Sequence, residues 1–145
     1  MALMYAHGIG VSADPAEARR LYATTDGKPV NGTGFQGDLY LDGTLTGEPA
    51  PEAAAAAYRT ALAEMTEWSL VAHAEYLADP ATPLYDPRLS LAWALAAERL
   101  AQCAPELAAA RAIVRRDAAR LDPADRAWAE ARADLLVSLA PPREA

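Results

Sequence analysis

The stretch of this chain that comes nearest to reactive chemistry is Leu41-Asp42-Gly43-Thr44-Leu45-Thr46. An Asp-x-Asp-Gly-Thr phrase serves phosphoryl transfer, its first aspartate forming an aspartyl-phosphate. That nucleophile belongs two residues before Asp42, where the chain carries Tyr40. A phenol cannot form the acyl-phosphate the chemistry needs. The phrase should also close an apolar strand of an α/β sheet, and no such sheet is legible. Gly43 therefore reads as a helix stop. The two histidines, His7 and His73, are far apart and have no carboxylate or thiol at metal-ligand spacing. Glu75 lies two residues from His73, so on a helix the two point in different directions and make no acid–base pair. Cys103 is the single cysteine, which excludes an internal disulfide framework. No catalytic residue, metal or cofactor is expected.

The remaining candidates are residues for touching a partner: Asp38, Trp68, His73, Arg111 and Arg115. Trp68 stands near a helix start. Arg111 and Arg115, with Arg116 and Arg120, give one helix a basic stripe in an acidic protein, suited to an acidic segment of a partner or simply to a solvated outer face. His73 reads also as a solvent-facing or packing histidine. Trp93 sits in an apolar stripe and is expected in the core, whereas Trp128 lies off the main stripe of its helix.

These residues need elements to hold them, and a recurring phrase marks where the elements begin. Asp14-Pro15, Ala50-Pro51, Asp86-Pro87 and Asp122-Pro123 carry four prolines spaced 36 residues apart. Proline is best tolerated at the first helical position, and an aspartate before it is a good N-cap. Each phrase opens an alanine-rich run with helical spacing: Ala18, Leu21, Tyr22; then Ala54, Ala57, Tyr58; then Leu89, Trp93, Ala96, Ala97, Leu100; then Ala127, Ala131, Leu135, Leu139. A fixed period of this length signals a helical repeat array. First helices are expected before each phrase. One ends near His7, and one over Gly37 to Gly43 is short after the glycine-rich approach from Asp26 to Gly34. A third starts after an N-cap at Thr66 and runs through Trp68, Val71, Ala72 and Tyr76. A fourth opens at Pro105 and runs through Leu107, Ala110, Val114, Ala118 and Leu121.

Composition agrees with helices. The hydrophobic fraction of 52% is rich in alanine, and only 7% of the 145 residues are aromatic. The net charge of −7 argues against nucleic acid, which wants a basic face. No apolar run reaches the roughly 18–20 residues of a membrane span, and no signal peptide is visible, so a cytoplasmic protein without membrane insertion is expected.

The stretch Leu3-Met4-Tyr5-Ala6-His7-Gly8-Ile9-Gly10-Val11, followed by Asp14, Ala18 and Tyr22, resembles the Sel1-like repeat, the helix–turn–helix relative of the tetratricopeptide repeat. Ala2 replaces the pattern's first glycine and Leu21 its tryptophan. Gly37, Tyr40 and Gly43 repeat the phrase more loosely, and Tyr76 keeps its step from Tyr40. The resemblance places Met1 inside the first helix of a repeat. It implies an all-α, right-handed α-solenoid occupying one domain over 1–145. Units are expected at about 1–30, 31–65 and 66–102, with a capping helix pair over 103–139 and a tail over 140–145. It also implies a non-enzymatic scaffold or adaptor, as in bacterial relatives, that binds a protein or peptide partner on a concave face lined mostly by first helices. Two alternatives stand beside that expectation: a hydrolase directed at phosphate or β-lactam substrates, and a structural module of a longer or self-associating array.

Overall fold

A computed structural model describes residues 10–14, 16–17, 20, 34–64, 67–82 and 85–142. Among them every regular element is helical: α1 (Gly34–Asp42), α2 (Pro51–Glu64), α3 (Glu67–Ala78), α4 (Pro87–Leu100), α5 (Ala104–Arg120) and α6 (Pro123–Leu139). The all-α expectation is met. The chain divides into two compact units, Met1–Glu64 and Met65–Ala145. The division falls where the second expected repeat gives way to the third.

The proline phrase does what local chemistry requires. Pro51, Pro87 and Pro123 are each the first residue of a helix. Asp86 caps α4 by accepting hydrogen bonds from the backbone N–H groups of Arg88 and Leu89, both at 3.1 Å. Asp122 caps α6 through the N–H of Asp125 at 2.8 Å. Ala50 has no side-chain acceptor, and α2 starts without one. In the first phrase the N–H of Glu17 donates to Asp14 Oδ1 at 3.1 Å, the expected cap, with residues 16 and 17 helical. Pro15, Thr66, and most of the first expected unit, including residues 1–9 and Tyr22, lie outside the described residues.

In the first unit α1 and α2 pack as a pair. Their common face contains Leu39, Tyr40, Ala54, Ala57, Tyr58, Ala61 and Leu62, all buried. The expected stripe of α2 is the one observed. Gly37 permits the approach: a Cβ there would lie 2.5 Å from Cδ1 and Cε1 of Tyr58. The short α1 ends at Gly43, whose φ of 80° suits glycine. The N–H of Thr44 donates to Leu39 O at 3.1 Å and that of Gly43 to Tyr40 O at 3.4 Å, a Schellman closure. Tyr40 O also accepts from the N–H of Ala50 at 2.9 Å, which sets the entry to α2.

The second unit is built round α4. It packs extensively against α3, α5 and α6, whereas α3 and α5 meet over a smaller area and α5 has little contact with α6. The eight consecutive residues from Ser90 to Ala97 are all buried. Trp93 has no exposed surface. An amphipathic helix is expected here, but three neighbours leave the middle of α4 no solvent face. Small side chains make this feasible, since Ala92, Ala94, Ala96 and Ala97 let the flanking helices come close. Leu91, Ala92 and Leu95 form a cluster with Ala129 and Ala133 of α6, covered by Val114, Ala118, Leu121 and Trp128. Each fully buried leucine of this kind contributes about 1.5–3 kcal/mol. Two expectations are corrected. The buried face of α6 is Ala129, Ala133 and Leu136, while Ala127 and Ala131 are exposed. The closing helices α5 and α6 pack on α4 more than on each other.

Candidate functional site

The second unit carries an open cleft of about 540 Å³. It is lined by Ala72, Glu75, Tyr76, Ala78 and Asp79 from α3 and its end, Thr82 from the following turn, and Arg116 from α5. Glu75 and Asp79 stand four residues apart, on one side of the helix. The turn is tied at several points. Asp79 Oδ1 accepts from the N–H of Ala81 at 2.9 Å. The Thr82 hydroxyl lies 2.9 Å from Tyr76 O and 3.0 Å from Asp79 O, so it serves the carbonyls that the helix end leaves open.

Beneath the cleft a polar chain joins three helices. Arg116 Nε donates to Asp117 Oδ1 at 3.0 Å, and its Nη1 lies 3.4 Å from Glu75 Oε2. The hydrogen bond it donates to Asp117, then the charges of Asp117 and Glu75, hold the Arg116 guanidinium protonated even more firmly than usual. Asp117 and Ser90 are wholly buried. Ser90 Oγ lies 2.6 Å from Asp117 Oδ2 and 2.8 Å from Ala74 O, so one hydroxyl proton stands between two acceptors. This network fixes Arg116 from below while its other face borders the cleft. The sequence carried a trace of it. The buried residues of α5 are Glu106, Ala110, Ile113 and Asp117, one stripe with a carboxylate at each end. The expected stripe of Leu107, Ala110, Val114, Ala118 and Leu121 lies beside it. Glu106 belongs to the helix start, where its Oε2 accepts from the N–H of Gln102 at 3.3 Å.

The residues expected to touch a partner are scattered. Asp38 is buried in the first unit and accepts a hydrogen bond from the Tyr58 hydroxyl. His73 is buried on α3, its ring 4.4 Å from that of Trp93 and inclined at 52°. Loss of hydration lowers its pKa to about 3, so it is neutral at physiological pH. It is the packing histidine of the two readings. Trp68 lies in the first turn of α3, its side chain outside the described residues. Arg111 and Arg115 are exposed on α5, and Arg111 lies 3.4 Å from Glu98. Arg116, their neighbour in the same stripe, is the one that reaches the cleft. Trp128 is half-buried against the core cluster, with the guanidinium carbons of Arg88 and Arg132 at 4.0 and 4.5 Å from its ring centre.

Asp42, of the phosphoryl-transfer-like phrase, is exposed at the end of α1 and accepts from the N–H of Thr44 at 2.8 Å. Tyr40, two residues earlier, is buried. Among the described residues no three His, Cys, Asp or Glu side chains are grouped to hold a metal ion, and no helix is long and apolar enough to cross a membrane. The groups in reach at the cleft are two carboxylates, a guanidinium, a hydroxyl and a phenol, a set suited to ion pairing and hydrogen bonding. No family model, curated protein or solved structure matches the chain.

Proposed function

We propose that the chain is a non-enzymatic interaction module of the Sel1-like type, and that the cleft beside α3 receives a peptide segment of a partner protein. One observation carries this reading. Among the described residues the exposed large hydrophobic side chains are Tyr76 and Tyr85. Tyr76 lines the cleft, and Tyr85 is tied to the lining residue Thr82 by its backbone N–H. Tyrosine is enriched at protein interfaces because it joins apolar area to a polar tip. The lining also supports the repeat reading. α3 and α5 occupy the positions of successive first helices, which in a solenoid of this type face the concave side.

The test is selection of peptides from a random display library against the whole chain, followed by mapping of the selected peptides by backbone amide shifts. The expected result is perturbation over residues 72–82 and at Arg116, with Tyr76→Ala weakening binding about tenfold or more. Selected peptides that map elsewhere, or a selection that yields none, would overturn the proposal.

A further inference from the structure

The cleft's charge names the kind of peptide. We infer that its occupant is a basic segment that places an arginine against Glu75 and Asp79; this inference rests on the peptide-docking reading above. The lining presents two carboxylates and one guanidinium. The guanidinium is already neutralised from beneath, because Asp117 is buried and holds Arg116 Nε at 3.0 Å. The contact from Arg116 to Glu75 is longer, 3.4 Å, and the Glu75 side chain is 52% exposed. An incoming arginine can therefore take Glu75 while Arg116 keeps Asp117. The cleft remains anionic, and a carboxylate-bearing guest would meet Glu75 and Asp79.

Two further features favour a cation. α3 ends at the cleft and has no basic residue in its last turn, so the negative end of its dipole has no counter-charge from its own helix. Tyr76 stands between Glu75 and Asp79 in sequence, lines the cleft and is 38% exposed, which brings an aromatic ring within reach of a guest guanidinium. Arginine suits the place better than lysine, since its planar group pairs with carboxylates and stacks on aromatic rings at once.

The experiment uses three peptides of equal length, acetylated and amidated, that differ only in carrying arginine, glutamine or glutamate at the same positions. Each is titrated into the full chain at low and high salt, with amide shifts as the map. The arginine peptide should shift residues 72–82 and Arg116, and should bind at least about tenfold more tightly than the glutamine peptide at low salt, the gap narrowing as salt rises. Glu75→Gln with Asp79→Asn should weaken it roughly three- to tenfold. Glu48→Gln with Glu52→Gln removes the same charge from exposed positions in the first unit and should leave binding unchanged. Equal weakening by both pairs would reduce the effect to bulk charge and overturn the inference. Equal or tighter cleft binding by the glutamine or glutamate peptide would also overturn it, while leaving the peptide-docking reading intact. If none of the three peptides, and none from the display library, maps to the cleft, both readings fall.

Discussion

At the scale of single residues, the buried polar groups of the second unit carry the sharpest consequences. Ser90 supplies a hydroxyl to the buried carboxylate of Asp117, and nothing else on α4 replaces it. Ser90→Ala should lower stability by about 1–3 kcal/mol, the cost of leaving a buried acceptor short of a donor. Urea unfolding followed by tryptophan fluorescence reads this directly, because Trp68, Trp93 and Trp128 all belong to the second unit. A second outcome concerns His73. Its proton binds near pH 3 in the folded chain and near 6.5 when unfolded. Above about pH 7 neither state holds the proton, so His73 adds no pH dependence. Below 6.5 the unfolded state takes it up first, and stability should fall by up to about 1.4 kcal/mol per pH unit until the folded pKa is reached. His73→Phe should remove that component, so the stability difference between wild type and variant should shift against wild type from pH 7 to pH 4 and stay flat above 7. A packing role for His73 was one reading of the sequence, but its place against Trp93 and the burial of Asp117 were not visible beforehand. A histidine or an aspartate amid alanines shows its type but not its neighbours, and the hydroxyl that meets Asp117 comes from a helix 27 residues away in sequence.

At the scale of elements, much was legible because capping is local. An aspartate accepts bonds from N–H groups two or three residues on, and the proline after it has no N–H to lose. The starts of α4 and α6 follow from these facts alone, and that of α2 from its proline. Glycine did the same for the end of α1. The phrases differ in strength, and the difference is measurable. Asp86→Ala should destabilise the second unit by about 1 kcal/mol in chemical denaturation. In the first unit, Ala50→Asp should raise the thermal midpoint by supplying the missing cap; no rise in the circular-dichroism melt would show that the entry to α2 is satisfied in another way. Which face of a helix turns inward was less legible. In α6, alanines at 124, 127, 129, 131 and 133 fit more than one stripe, and the leucines at 135, 136 and 139 do not decide between them. Alanine has too little apolar area to fix a face by itself. In α4 the same property hid the burial of a whole turn and more.

At the scale of the molecule, the second unit has the makings of an independent fold. It holds Trp93, Leu91, Ile113 and Leu136 in its interior. Arg99 of α4 reaches both Glu130 and Asp134 of α6 at 2.5 Å, one guanidinium bridging two carboxylates a helical turn apart. A chain of residues 65–145 alone should be helical and unfold in one cooperative step with blue-shifted tryptophan emission. A non-cooperative melt would show that the first unit is needed for its core. The central place of α4 was not legible in the sequence, because it depends on which helices meet in space.

That central place has a mechanical consequence. α3, α4 and α5 each touch the other two, but α6 is held chiefly by α4 and the Arg99 bridges. Load applied at the C-terminal end would thus strip α6 first, as a separate event of small extension, and leave a three-helix remnant that yields at higher force. The step freed would expose Leu91 and Leu95 in an otherwise intact body, because α6 covers an apolar strip of α4.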